Sequence, residues 1–259
     1  MPQPMIQQRM DQIEGYAKTL VQQLRIVDER RHILEPLIWD DGIRKALHEK
    51  LDNTAGVHAY NHLVPMMAQD LVREIARLFL DEGNKTASLI NLFRKAREPE
   101  IKESLRQKFR DIPDNWHSQT GPILGLTQEQ TDQIREEWRD KDKEDFEKSF
   151  EEGWEFVEKA VDAIRSNEVA NKIKSFRDRF HAHLEMAPLG QEAEPIALNE
   201  LDLTYIEIVQ FLDEFMPAIF ELGRILTGNV YDVEGFSDAH KERGLDMWTT
   251  LSGRNSTSE

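Results

Sequence analysis

Apolar residues recur at three- and four-residue steps along almost the whole chain, and that period limits the fold more than any other feature. A turn of about 3.6 residues gathers such positions into a stripe, and stripes of this kind are buried against other helices. The first stripe is Ile13, Tyr16, Ala17, Leu20, Leu24, Val27 and Arg31. It predicts a helix from about Met5 to Leu34, stopped before Pro36 because proline disfavours helical backbone in the residue ahead of it. A short helix is expected over Gly42–Leu51. Asn53 or Thr54 is then placed to cap a longer one, with Val64, Met67, Leu71, Ile75, Leu78 and Phe79 as its stripe. Pro65 should kink or break it, and Gly83 should close it.

Thr86 is the expected cap of a helix carrying Leu89, Ile90, Leu92 and Phe93, and Pro99 opens another that runs to Phe109. Residues 111–126 are dense in Pro, Gly, Asn and Asp and read as a loop. Thr127 with Gln130 forms a capping-box pattern at the head of a charge-rich helix reaching about Ile164, with Gly153 as a point of interruption. Its aromatics Trp138, Phe146, Phe150 and Trp154 read as core, and its acidic residues as a solvated face. Val169, Ile173, Phe176, Phe180 and Leu184 predict one helix from Glu168 to Met186, ended by Pro188 and Gly190. A last strong helix should run from about Leu201 to Leu226 and stop at Gly228. Beyond it the period is lost. The expectation is an all-α helical bundle: residues 1–228 as one domain with a loop/helical insertion around 111–153, and 229–259 as a partly disordered C-terminal tail.

Composition narrows the chemistry. The 259 residues include no cysteine, which removes disulfides, thiolate metal sites and cysteine nucleophiles. No run approaches the roughly 18–20 apolar residues that span a bilayer, so no membrane association is expected. MPQPMIQQRMDQ has no basic segment followed by an apolar one, and the expected location is the cytoplasm. With 49 acidic against 33 basic residues the net charge is -16. Most of such a surface repels nucleic acid, while a focused basic pocket remains open to it.

The segment SFRDRFHAHLE, Ser175 to Glu185, concentrates Arg177, Asp178, Arg179, His181 and His183 within about two helical turns. Metal-independent RNA cleavage needs a group to take the ribose 2′-hydroxyl proton or to protonate the leaving oxygen. Histidine suits either, because its ordinary pKa of about 6.5 lies near neutrality. A guanidinium can clamp the oxygens of the phosphorane-like transition state. At about 100° per residue, Arg177 and His183 stand about 120° apart around one straight helix. They can converge if two copies of the helix meet. Within one helix the four-apart pairs are Arg177 with His181 and Arg179 with His183, which makes Arg179 and His181 second candidates. The plainer reading is a solvated face with ordinary ion pairs and a histidine satisfied by a neighbour.

Arg177, the polar Asp178 and His183, on a helix in an all-α chain, resemble the signature of the HEPN superfamily (higher eukaryotes and prokaryotes nucleotide-binding). The segment Met67 to Phe93 is similar to the corresponding helices of its abortive-infection branch, so the likeness covers roughly Met5 to Gly228. The resemblance implies a metal-independent endoribonuclease acting as a toxin or phage-defence effector. Its partners would be an RNA substrate, a second copy in a homodimer and an antitoxin protein, with no cofactor and no metal. Arg177 would hold the phosphate, His183 would transfer the proton, and Asp178 would orient one of them at a composite site on the dimer interface. Many toxic HEPN proteins carry a tyrosine two positions after the histidine, whereas Glu185 stands here, so modification of that position by an antitoxin is not expected. The alternative is a non-catalytic helical module that binds a nucleotide or a protein. His58 and His62, four apart with Asp70 two turns on, have metal-chelating spacing but read as surface or core histidines.

Overall fold

A computed structural model of the protein describes residues 3–117, 123, 125–178 and 202–253, and among these all regular structure is helical. Helix α1, Gln3–Trp39, runs through the middle of the molecule, burying Met10, Ile13, Ala17, Leu20, Leu24, Val27 and Leu34. It does not stop before Pro36. Proline cannot donate to the carbonyl four residues back, so His32 O loses its helical partner. A later helix, α10 (Val233–Ser252), covers that turn: a Cβ on its Gly244 would overlap His32 O, and Trp248 donates its indole N–H to Ile33 O at 2.6 Å. Tertiary contact thus carries α1 past the residue that should end it.

Helix α2 (Asp41–Leu51) is capped by Asp40, whose carboxylate accepts the Ile43 N–H at 2.9 Å. Helix α3 (Gly56–Ile75) continues through Pro65 without the expected break. Ala55 occupies its N-cap, and Thr54 contributes from one position further out, its hydroxyl accepting the Gly56 N–H at 3.1 Å. The chain then widens into a π turn, Ala76–Leu80, in which Ala76, Leu78, Phe79 and Leu80 are all buried, and helical structure ends there rather than at Gly83. Ser88, not Thr86, caps α4 (Leu89–Ala96), while the Thr86 hydroxyl donates to Gly83 O at 2.7 Å.

Pro99 opens α5 (Pro99–Arg110) as its sequence predicts. The stretch expected to be a loop contains a short helix, α6 (Ile112–His117). The Thr127 and Gln130 capping box starts α7 (Gln128–Ser166), which passes Gly153 uninterrupted. There the missing Cβ makes room for Glu221, Arg224 and Ile225 of α9 (Tyr205–Thr227). Helix α8 (Glu168–Arg177) lies between α7 and α9 in the chain and packs on α3 and the π turn. Gly228, with φ 72°, ends α9 in the left-handed conformation that glycine tolerates.

Residues 229–253 are not a tail. Helix α10 lies along α1, burying His240, Gly244, Trp248 and Ser252 at steps of four. These are polar, small or aromatic, so the face has helical spacing without an apolar stripe. Around α1 stand α3, α9 and α10, and α7 flanks α9 and α5. One main core joins them, and a smaller cluster of Leu37, Ile43, Leu47 and Trp248 seals the α1–α2–α10 corner. Phe93, Phe109, Phe150 and Trp154 form an aromatic row in the main core, with Phe146 against its edge. Trp138 is exposed instead, on the part of α7 that extends beyond this row. Among the described residues no helix is long and apolar enough to cross a membrane.

Candidate functional site

Helix α8 is fixed at its start by a cap and along one side by packing. The Asn167 side chain accepts the Ala170 N–H at 3.0 Å, and Glu168 stands in the first turn, where the helix dipole favours an acid. Ala170, Ile173 and Phe176, three apart, are buried in the core. Lys172 ties the helix to the start of α9, donating to Glu207 Oε1 at 2.9 Å and to the Asp202 carbonyl at 2.6 Å. Glu207 also accepts from the backbone and hydroxyl of Thr204. Together these bonds, the one from Lys172 foremost, hold its pKa down at about 2.

Arg177 directly follows the buried Phe176 at the end of this anchored helix. Its Nε and Nη2 both donate to Asp178 Oδ1, at 2.8 and 2.7 Å. The Arg177 side chain is 24% exposed and that of Asp178 is 48% exposed, so the pair sits at the surface with the guanidinium partly sheltered. A guanidinium has five N–H donors, and the contact with Asp178 uses two. The carboxylate fixes one edge of the plane, and among the described residues the other edge carries no hydrogen bond, an edge that suits a bidentate oxyanion. The structure therefore brings together Arg177 and Asp178. Arg179, His181 and His183 lie outside the described residues, as do Phe180, Leu184, Glu185 and the expected end of this helix at Met186.

A second polar cluster, unmarked in the sequence reading, is buried between α1, α9 and α10. Asp28 accepts from or pairs with His240 Nδ1 at 2.9 Å and lies 3.4 Å from Ser237 Oγ. His32 contacts Glu35 Oε2 through Nδ1 at 2.7 Å and Ser237 Oγ through Nε2 at 3.0 Å. Arg31 donates to Glu35 at 2.8 Å and pairs with Asp213 of α9. Burial pushes the Glu35 carboxyl up, but the bonds from His32 and Arg31 outweigh it and hold the net pKa below the usual range. Burial and the nearby Glu35 push the Tyr205 phenol up.

Serine, histidine and glutamate thus stand in series, as a nucleophile, its base and an orienting acid would. The setting argues against that chemistry. His32 is 5% exposed, Ser237 also meets Asp28, and Ser237 stands in the second turn of α10, past the free N–H groups of the helix start. The cluster clamps α10 and α9 to α1. Asp28 and His32, four apart on an otherwise apolar stripe, were its visible signal.

His58 and His62 are exposed on α3, and Asp70 pairs with Arg30 at 2.8 Å and with Arg73 instead of joining them. Among the described residues no group of three or more His, Asp or Glu side chains is placed to hold a metal ion.

A family model described as AbiU2, of HEPN type, matches residues 10–246. The match extends into α10, past Gly228, where the hydrophobic period alone ends the domain. No curated protein matches the chain. No solved structure matches it.

Proposed function

This chain belongs to AbiU2, a HEPN-type abortive-infection family, and we propose that it is a metal-independent endoribonuclease that works as a homodimer. The family match over residues 10–246 carries this reading. The Arg177–Asp178 pair at the anchored end of α8 supports it, since one edge of the guanidinium is fixed and the other carries no hydrogen bond among the described residues. In the proposed reaction the His183 imidazole takes the ribose 2′-hydroxyl proton. The 2′-oxygen attacks phosphorus, the bond to the 5′-oxygen breaks, and a proton returns to that oxygen. The products are a 2′,3′-cyclic phosphate and a 5′-hydroxyl. Arg177 holds the phosphate oxygens as they gain charge, and Asp178 keeps the guanidinium in plane. Six positions apart, Arg177 and His183 would face about 120° away from each other if the helix ran on past Arg177, so in this reading each phosphate meets the arginine of one copy and the histidine of the other. In this reading the cleavage disables a phage-infected cell.

The test is RNA cleavage by purified protein in EDTA, beside Arg177→Ala and His183→Ala. Cleavage that leaves cyclic-phosphate ends and is lost in both variants is expected. Wild-type rates in both variants would remove the assignment at these residues. Activity abolished by EDTA but kept in the variants would direct attention to His58 and His62.

A further inference from the structure

Away from Arg177, a cleft of about 500 Å³ opens between α1, the 81–88 loop and α4, lined by Arg9, Gln12, Ile13, Asn84, Arg94, Lys95 and Glu98. Three cations face one carboxylate there, in a chain whose net charge is -16. Arg9 pairs with that carboxylate, Glu98. Arg94 and Lys95 are held differently. Among the described residues the hydrogen bonds of Arg94 all leave from Nη2, to Asn91 Oδ1, to Asn84 Oδ1 at 3.3 Å and to the Glu82 carbonyl at 3.4 Å. Lys95 Nζ donates to the Asn84 carbonyl at 3.0 Å. Each acceptor is neutral, so the two cations are aimed without being discharged. Elsewhere Arg31, Arg77, Arg106 and Arg224 each rest on a carboxylate.

The loop that does the aiming is itself held by buried polar groups. Asn91, fully buried on α4, donates through Nδ2 to Gly83 O at 2.7 Å and to Thr86 O. Ser88, also fully buried, donates to the Asp81 carbonyl and caps α4. Two buried polar side chains thus tether the loop at the Asp81, Gly83 and Thr86 carbonyls, which flank the Glu82 and Asn84 carbonyls that accept from Arg94 and Lys95. The Nε and Nη1 donors of Arg94 and the remaining donors of Lys95 are uncommitted among the described residues. Fixed donors around a charge-deficient hollow favour an oxyanion.

We propose that this cleft binds phosphate groups, and that its size suits a nucleotide or a linear polyphosphate better than a single phosphate. The inference does not rest on the ribonuclease reading, since the cleft shares no lining residue with the Arg177–Asp178 pair. The full chain is titrated with inorganic pyrophosphate, followed by heat of binding and by thermal midpoint. Saturable binding is expected, weakened about tenfold or more by Arg94→Gln and by Lys95→Gln, and retained in Arg177→Ala. Lys95→Gln removes only one internal bond, so it keeps the test valid if Arg94→Gln loosens the loop. The same titration with ATP and with a short single-stranded RNA separates the sources: competition by ATP identifies a free nucleotide, and competition by RNA alone identifies a phosphate of the chain. No binding to wild type, or equal binding in both cleft variants, would overturn the proposal. So would loss of binding in Arg177→Ala alone.

Discussion

Arg177 owes its direction to an adjacent carboxylate, and that bond has a measurable consequence. With Asp178→Ala the guanidinium keeps its charge but loses the partner of Nε and Nη2. Misplacing a positioning group by an ångström or so costs about 10²-fold in rate. Single-turnover RNA cleavage by Asp178→Ala should fall by that order while its circular dichroism stays that of wild type. An unchanged rate would assign the bond to the surface alone. A second residue-scale prediction concerns Glu207, which Lys172 and Thr204 hold at about 2. A depressed carboxylate adds stability above its unfolded value near 4.5 and loses it as pH falls toward 2. Glu207 is partly exposed and screened by solvent, so this contribution is small, and its carboxyl titration by NMR is the better readout. Lys172→Met should raise the Glu207 midpoint only part of the way to 4.5, because the Thr204 bonds remain. A midpoint unmoved by the substitution would show that the ion pair is not formed.

At the scale of elements, helix crossings depend on what the sequence leaves out. Gly244 lets α10 lie against the His32 carbonyl that Pro36 leaves without a helical donor. Gly153 lets α7 approach α9. Both are mid-helix glycines, for which alanine would otherwise add up to about 1 kcal/mol. The obstacles differ: Gly244→Ala meets backbone, whereas Gly153→Ala meets chiefly the mobile ends of Glu221 and Arg224 and a methyl of Ile225. Gly244→Ala should therefore destabilise by roughly 1–3 kcal/mol and Gly153→Ala by clearly less, read as chemical-denaturation midpoints. The reverse order would contradict the packing of α10 on α1.

The same crossings explain which elements can be read from the chain. The stripes of α1, α3 and α9 and the capping box at Thr127 follow local rules, and tertiary contact with α10 carries α1 past Pro36. Helix α10 is hidden because His240, Gly244 and Ser252 bury a face by hydrogen bonds and close approach, not by apolar area. Thr86 looks like a cap but folds back on Gly83, leaving that role to the buried Ser88. Of the candidate site, the segment was legible from Arg177 and Asp178 in their spacing. That both Arg177 donors rest on one Asp178 oxygen was not, because side-chain direction at a helix end depends on packing as well as on spacing. The cleft at Arg94 and Lys95 was invisible too, since its cations lie apart from Arg9 in the chain and are aimed by loop carbonyls.

For the whole molecule, the central proposal is that one chain cannot supply the site. A charge of -16 per copy makes any RNA contact depend on a local convergence of cations, and two α8 helices meeting across a twofold axis would provide one. The direct measurement mixes two inactive variants. Arg177→Ala and His183→Ala proteins are each purified, combined under conditions that exchange subunits, and assayed for RNA cleavage in EDTA. A mixed dimer retains one Arg177 and one His183 on opposite copies, so cleavage should reappear in the mixture though absent from either variant alone. If subunits exchange and the mixture stays as inactive as its components, the site is not shared between copies, and the composite-dimer account is contradicted.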